Sequence, residues 1–245
     1  MKRLGCGFRN PPDRTSRRRP SVLQGMVHSA LGHHQAGRLS EAERIYRQIL
    51  AIDAHHADSL HLLGMIEYQA GHPEVAIAMI RKAIAINKTE AAYHSNLGTV
   101  FHAQGRLEEA SLCYERAVAL QPNLAEAHYN LGNVLHTQEK LNEAAACYER
   151  ALALNANLAE AHYNLGNVRQ SQGKLDAAVE CYERALAIEP MKYEALHNLG
   201  NARQAQNNMA EARVCYERVL GLEPRYAKAH YSLATIAHSQ GKLAR

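Results

Sequence analysis

The sequence predicts an all-α protein, a solenoid of antiparallel helix pairs that repeats every 34 residues. Segments 125–158 and 159–192 are identical at 21 of 34 positions. Within each segment the apolar residues recur three or four positions apart, which is the helical period and not the alternation of a strand. A repeat of this length is typical of stacked helical hairpins, each of which buries its apolar faces against its neighbours.

Small residues recur at two fixed places in the repeat, where two helices can cross closely. One column is glycine and the other is alanine, and a tyrosine column follows the alanines. We expect each tyrosine to fill the gap towards the next layer. The columns are Gly64, Gly98, Gly132, Gly166 and Gly200; Ala42, Ala76, Ala110, Ala144, Ala178 and Ala212; and Tyr46, Tyr114, Tyr148, Tyr182 and Tyr216.

Glycine and proline mark the ends of the helices. Glycines in a second column fit a left-handed residue after each first helix: Gly37, Gly71, Gly105, Gly173 and Gly241. Pro122, Pro190 and Pro224 follow second helices, which they cannot continue. The first helices are predicted near 23–36, 57–70, 91–104, 125–138, 159–172, 193–206 and 227–240, and the second near 40–53, 74–87, 108–121, 142–155, 176–189 and 210–223. The array (23–245) thus has six full repeats, starting at residues 23, 57, 91, 125, 159 and 193, and a half repeat from 227.

The formal net charge of +4 is concentrated at the N-terminus. Residues 1–22 hold seven basic residues against Asp13, and the remaining residues sum to −2. We expect residues 1–22 to be a disordered basic tail. A near-neutral array argues against a nucleic-acid groove, and no apolar run is long enough to cross a membrane. Because no apolar segment follows the basic start, as it would in a secretion signal, we expect a cytoplasmic protein.

The cysteines and histidines do not form a pattern of catalytic or metal-binding residues. Cys113, Cys147, Cys181 and Cys215 lie 34 positions apart, which corresponds to about 10 Å between stacked layers, beyond the reach of a disulfide. The histidines occur once per layer or as adjacent pairs, whereas a metal needs three or four converging ligands. We therefore predict no catalytic residue, no metal site and no cofactor, and a chain that is not an enzyme. A metal enzyme that uses the histidines is the least favoured alternative.

A polar ladder follows one face of the first helices. A carboxamide offers both a donor and an acceptor, so it can bind the main chain of an extended peptide without reading its side chains. Layers about 10 Å apart match roughly three extended residues of about 3.3 Å each. We predict a protein or peptide partner here, bound by Asn96, Asn130, Asn133, Asn164, Asn167, Asn198 and Asn201, with Tyr129 and Tyr163 beside them.

From residue 23 onward the chain resembles the tetratricopeptide repeat family, with histidine in place of the family's large residue early in the first helix: His94, His128, His162 and His230. The resemblance implies a right-handed superhelical solenoid with a concave groove, lined by the first helices, that binds proteins or peptides. Segments 125–134 and 159–168 are most similar to the repeat arms of O-GlcNAc transferases and related SPINDLY-like enzymes. The alternative is therefore a substrate-recognition arm whose catalytic domain is absent from this chain.

The C-terminus repeats the opening of a second helix, since Gly241-Lys242-Leu243 corresponds to Gly173-Lys174-Leu175. A repeat array needs a polar cap at each end. We therefore expect the chain to be a piece of a longer protein, and its last helix, near 227–240, to fray or to self-associate.

Overall fold

The computed structural model describes residues 14–239 and 241, and these form thirteen α-helices without a strand. First helices carry odd numbers and second helices even numbers. The helices are α1 (Arg14–Gln35), α2 (Leu39–Ile52), α3 (Ala57–Gln69), α4 (Pro73–Ile86), α5 (Ala91–Ala103), α6 (Leu107–Leu120), α7 (Ala125–Thr137), α8 (Leu141–Leu154), α9 (Ala159–Ser171), α10 (Leu175–Ile188), α11 (Tyr193–Ala205), α12 (Met209–Leu222) and α13 (Ala227–Ser239). Within the described part of the chain, each helix is too short or too polar to cross a membrane.

The predicted helix bounds agree with the structure to within one residue, except at the N-terminus. Helix α1 begins at Arg14, nine positions before the predicted start. Residues 14–22 are therefore helical and do not belong to a disordered tail, while residues 1–13 lie outside the described residues. The tail was predicted from its charge, but arginine is also a good helix former. Fraying or self-association of α13 stays a prediction.

The chain forms two compact units, which divide between Thr89 and Glu90. Unit 1 contains α1–α4, and Tyr46, Ile49 and Leu63 are in its buried core. Unit 2 contains α5–α13 as successive helical hairpins, and one of its buried clusters extends from α10 to α13. The layers are thin, so their cores are closed mainly by alanine, leucine, isoleucine, tyrosine and valine.

The glycine column and the tyrosine column pack on each other within one hairpin. A Cβ placed on Gly166 would lie 2.6 Å from Cε1 of Tyr182, and one on Gly132 would lie 2.7 Å from Cε1 of Tyr148. Both tyrosines are fully buried. The ring therefore occupies the space left by the missing side chain of its own repeat's glycine. That the tyrosine also fills the gap towards the next layer stays a prediction.

The turn after each first helix contains a residue with positive φ, as the second glycine column predicted. The glycines of this column have φ between 68° and 84°. In two repeats the same place is taken by Glu139, with φ 60°, and Asn207, with φ 62°. Left-handed backbone costs a residue with a Cβ roughly 1–2 kcal/mol, so the turn at Glu139 is strained.

Ion pairs join the second helix of one repeat to the first helix of the next at one recurring register. Arg203 pairs with Glu183 at 2.7 Å, and Arg169 pairs with Glu149 in the preceding layer. In unit 1 the same register carries the opposite charges, since Arg47 lies on the second helix and pairs with Glu67 on the next first helix at 3.1 Å. Exposed pairs stabilise by at most about 1 kcal/mol, but they discriminate strongly between correct and shifted stacking.

Candidate functional site: an amide-lined face

The first helices of unit 2 form one continuous surface, which we call the inner face. Helices α5, α7, α9 and α11 contact each other in succession. Every residue of the predicted site lies on one of these four helices and is partly buried. The ladder is therefore a contiguous feature of unit 2, and its carboxamides can interact from one layer to the next.

Two pairs of asparagines are hydrogen-bonded across layers, and we call each pair an amide link. Asn164 Nδ2 donates to Asn133 Oδ1 at 3.0 Å and to the Tyr129 hydroxyl at 3.3 Å. One layer further, Asn198 Nδ2 donates to Asn167 Oδ1 at 2.9 Å and to the Tyr163 hydroxyl in the same way, again at 3.3 Å. Six of the nine predicted residues thus belong to one repeating network.

The hydroxyls of two buried tyrosines form hydrogen bonds with the amide links and hold their carboxamides in place. The Tyr148 hydroxyl donates to Asn133 Oδ1 at 2.8 Å. The Tyr182 hydroxyl lies 2.9 Å from Asn167 Oδ1 and 2.8 Å from the terminal amide of Gln170. Since a phenol has only one hydrogen, one of these two carboxamides accepts from the Tyr182 hydroxyl and the other presents its NH2 to it. Burial raises the pKa of both tyrosines, so they remain protonated donors.

Each amide link keeps unused hydrogen-bonding capacity. Among the described residues, Asn133 Oδ1 accepts two bonds while the NH2 of Asn133 finds no acceptor, and Asn164 uses both hydrogens of its NH2 while its oxygen finds no donor. Turning both carboxamides over exchanges these roles and keeps the contacts, with the Tyr148 hydroxyl then accepting from Asn133 instead of donating to it. In either orientation a link therefore retains one NH2 and one carbonyl oxygen, which together match the C=O and N–H of a peptide main chain.

The ladder changes at both of its ends. Asn130 makes no hydrogen bond with another described residue. The partner position, which Asn133 holds one layer later, is taken here by Thr99, whose hydroxyl contacts the Tyr114 hydroxyl at 3.0 Å. Asn96 lies partly buried on α5. At the other end Asn201 accepts from the Tyr216 hydroxyl at 2.8 Å.

Histidine early in three of the first helices anchors the loop that precedes the helix. Nε2 of His162 lies 3.1 Å from the carbonyl oxygen of Ala156. His128 and His230 make the corresponding contacts six residues back, at 3.0 Å and 2.9 Å. These rings are held singly, one in each layer. Within residues 14–239 and 241 no three His, Cys, Asp or Glu side chains are grouped so that they could hold a metal ion.

The four cysteines of the repeat are free thiols. Burial raises the pKa of Cys147 to about 11, and nearby carboxylates add to the effect. Burial likewise raises the pKa of Cys181 to about 11. At neutral pH these thiols are protonated, and a protonated thiol is a poor nucleophile.

A lysine that sequence reasoning missed lies beside the ladder. Lys192 Nζ pairs with Glu160, lies 3.8 Å from Glu189, and stands 5.3 Å above the centroid of the Tyr163 ring. Partial burial alone lowers the pKa of an ammonium, but the hydrogen bond and charge of Glu160 outweigh it and raise the pKa of Lys192. Lys192 gave no signal in the sequence because the equivalent position is Leu158 in one neighbouring repeat and Tyr226 in the other.

Stacked helical hairpins with a contiguous polar face define the class of helical repeat proteins that present an extended binding surface. Models of the tetratricopeptide repeat match residues 33–99, 98–139, 132–173, 159–191 and 197–245. The chain therefore belongs to the tetratricopeptide repeat family, whose fold is typical of protein–protein interaction scaffolds. A comparison with curated proteins finds no significant match.

Several solved structures are similar to the chain. PilF of Pseudomonas aeruginosa is 22% identical with a TM-score of 0.79, over 89% of this chain and 99% of that one. YrrB, described as a tetratricopeptide repeat protein with an unusual peptide-binding site, is 21% identical with a TM-score of 0.70, over 77% of this chain and 97% of that one. A MamA protein is 27% identical with a TM-score of 0.65, over 70% of this chain and 94% of that one. These matches support the fold, while the interpretation as a glycosyltransferase arm stays a prediction.

Proposed function

We propose that this chain is an interaction scaffold that holds an extended segment of a partner protein along the inner face of unit 2. The amide links carry the proposal. A carboxamide that turns freely loses side-chain entropy when it binds a ligand, whereas Asn133 and Asn164 are already fixed by each other and by Tyr148. Preorganisation of this kind raises affinity by lowering the cost of ordering.

The spacing of the links suits main-chain recognition. One link joins α7 to α9 and the next joins α9 to α11, so the step is one layer, or about 10 Å. An extended peptide advances about 3.3 Å per residue and therefore presents an equivalent main-chain amide after roughly three residues. The partly exposed rings of Tyr129 and Tyr163 add apolar contact surface beside the links.

Asn130 allows binding to be tested separately from stability, because it makes no hydrogen bond with another described residue. An immobilised array of random nonapeptides should retain the wild-type chain at many positions, as expected for main-chain recognition. Asn130→Ala should weaken binding across the array about two- to tenfold, the contribution of one hydrogen bond, and should leave the melting temperature within about 1 °C of wild type.

Val214→Ala provides the matched control, since Val214 is 54% exposed and lies on the second helix α12. It should leave the array signal unchanged. Equal binding by Asn130→Ala and wild type, or an equal loss in Val214→Ala, would contradict recognition on the inner face.

A further inference from the structure

Repeat 5 contains a site for an ammonium group, here called the cradle, and a lysine of the same chain occupies it. The cradle consists of the Glu160 carboxylate and the Tyr163 ring, and Lys192 occupies it, paired with Glu160 and 5.3 Å above the ring centroid. A carboxylate combined with an aromatic face is a favourable environment for a lysine or arginine side chain.

Repeat 4 contains the same cradle without its cation. Glu126 and Tyr129 take the places of Glu160 and Tyr163, and Leu158 takes the place of Lys192. The ring is held in a matching way, since Tyr129 lies 6.0 Å from the Tyr148 ring at an interplanar angle of 47°, while the repeat 5 pair lies at 6.2 Å and 47°. The hydroxyl of Tyr129 also accepts from the next layer's asparagine at the same 3.3 Å as in repeat 5.

A cavity of about 340 Å³ lies at this place, lined by Glu126, Tyr129 and Leu158, among others. Its rim also includes Glu160 and Glu189, but both of these carboxylates already lie close to Lys192. Glu126 forms no ion pair with another described residue and is exposed. The cavity therefore combines an apolar wall, an aromatic face and an uncompensated negative charge.

We infer that the cavity of Glu126 and Tyr129 is a subsite for one lysine or arginine side chain of the bound partner, next to the amide link that holds its main chain. The inference rests on the proposed function, because the basic residue belongs to the peptide on the inner face. The subsite adds selectivity to a ladder that by itself reads only the main chain. In repeat 5 the same selection cannot occur, because Lys192 already fills the cradle.

The test uses the full chain and three fluorescein-labelled nonapeptides of serine, glycine and alanine that carry lysine, norleucine or glutamate at the centre. Fluorescence anisotropy should give an affinity about three- to tenfold higher for the lysine peptide than for the norleucine peptide, and the lowest affinity for the glutamate peptide. The ratio should fall as the salt concentration rises, since the subsite is partly exposed.

Glu126→Gln should bring the lysine-to-norleucine ratio to about one while leaving the affinity for the norleucine peptide unchanged. Leu158→Lys should do the same by filling the cradle from within, as Lys192 does in repeat 5. Glu143→Gln, at an exposed carboxylate on the second helix of the same repeat, should keep the wild-type ratio. If Leu158→Lys fails to fold, Glu126→Gln alone decides, because it replaces an exposed carboxylate by an isosteric amide.

The outcomes separate the subsite from the proposed function. Equal affinities for the lysine and norleucine peptides in wild type, or a lysine preference that survives Glu126→Gln, would overturn the subsite and leave main-chain recognition standing. Failure of all three peptides to bind at millimolar concentration would overturn both.

Discussion

Replacing Gly166 by alanine tests the packing of glycine against tyrosine. In a helix this change normally stabilises by about 1 kcal/mol, because alanine loses less backbone entropy than glycine. Here the new methyl would stand 2.6 Å from Cε1 and 2.7 Å from Cδ1 of Tyr182, far inside van der Waals contact. The ring is fully buried, so it can move only by disturbing the core.

Two costs oppose the gain. Overpacking a core costs about 1–3 kcal/mol. A displaced Tyr182 hydroxyl would also lose its bonds to Asn167 and Gln170, which costs a further 1–3 kcal/mol or so for a buried polar group. The net expectation is that Gly166→Ala lowers the free energy of unfolding by about 1–5 kcal/mol. Repeat 1 is a natural parallel, since Ala30 stands in this column and the Tyr46 hydroxyl is buried without a hydrogen-bond partner.

Denaturant unfolding followed by circular dichroism measures the effect, with Gly221→Ala as the matched control. Gly221 also lies in a helix, but a Cβ there meets no atom within 4 Å, so this change should be neutral or stabilise by up to about 1 kcal/mol. The double variant Gly166→Ala/Tyr182→Leu should recover part of the loss, because the smaller side chain leaves room for the methyl. The reasoning is refuted if Gly166→Ala is as stable as Gly221→Ala.

Three further predictions concern the turns and the titrating groups. Glu139→Gly should stabilise by about 0.5–1 kcal/mol by removing strain at positive φ, and Gly173→Ala should destabilise, as thermal unfolding of both will show. The thiols of Cys147 and Cys181 ionise near pH 9 in the unfolded chain but near pH 11 in the folded one, so the free energy of unfolding should fall as pH rises from 9 to 11. A variant with alanine at both positions should show a shallower fall, and a fall as steep as that of the wild type would contradict this prediction. Burial lowers the pKa of His61 to about 4, so the stability it contributes above pH 6.5 should be lost as pH falls towards 4, and His61→Gln should flatten the acid limb of a denaturation series.

The sequence was sufficient to place the helices because the 34-residue period is regular and many boundaries have a local chemical cause. Gly173 can adopt the left-handed backbone that ends α9, and Pro190 cannot continue α10. The strained turn at Glu139 could also have been found, since it falls in the glycine column by its 34-residue spacing. The start of α1 was missed because charge was weighed above the helix propensity of arginine.

The sequence placed the residues of the candidate site on the first helices, but it did not predict the hydrogen bonds between them. The position of each asparagine on a first helix followed from the helical period. The bond between Asn133 and Asn164 did not, because it joins residues 31 positions apart and depends on how far each layer is rotated over the last. The role of Tyr148 was missed for a related reason, since its hydroxyl reaches Asn133 only because the ring lies on Gly132.

The reversed ion pair in unit 1 has a consequence for how such a gene can change length. A deletion of 159–192 that joins repeat 4 to repeat 6 would bring Glu149 opposite Arg203 and Asn133 opposite Asn198, which are the same residue types as their present partners Arg169 and Asn164. Arrays shortened or lengthened in this way keep their ion pairs and amide links. An exchange that placed Arg47 before Arg169 would instead bring two guanidinium groups together, so the polarity of this ion pair disfavours joining repeat 1 directly to repeat 5.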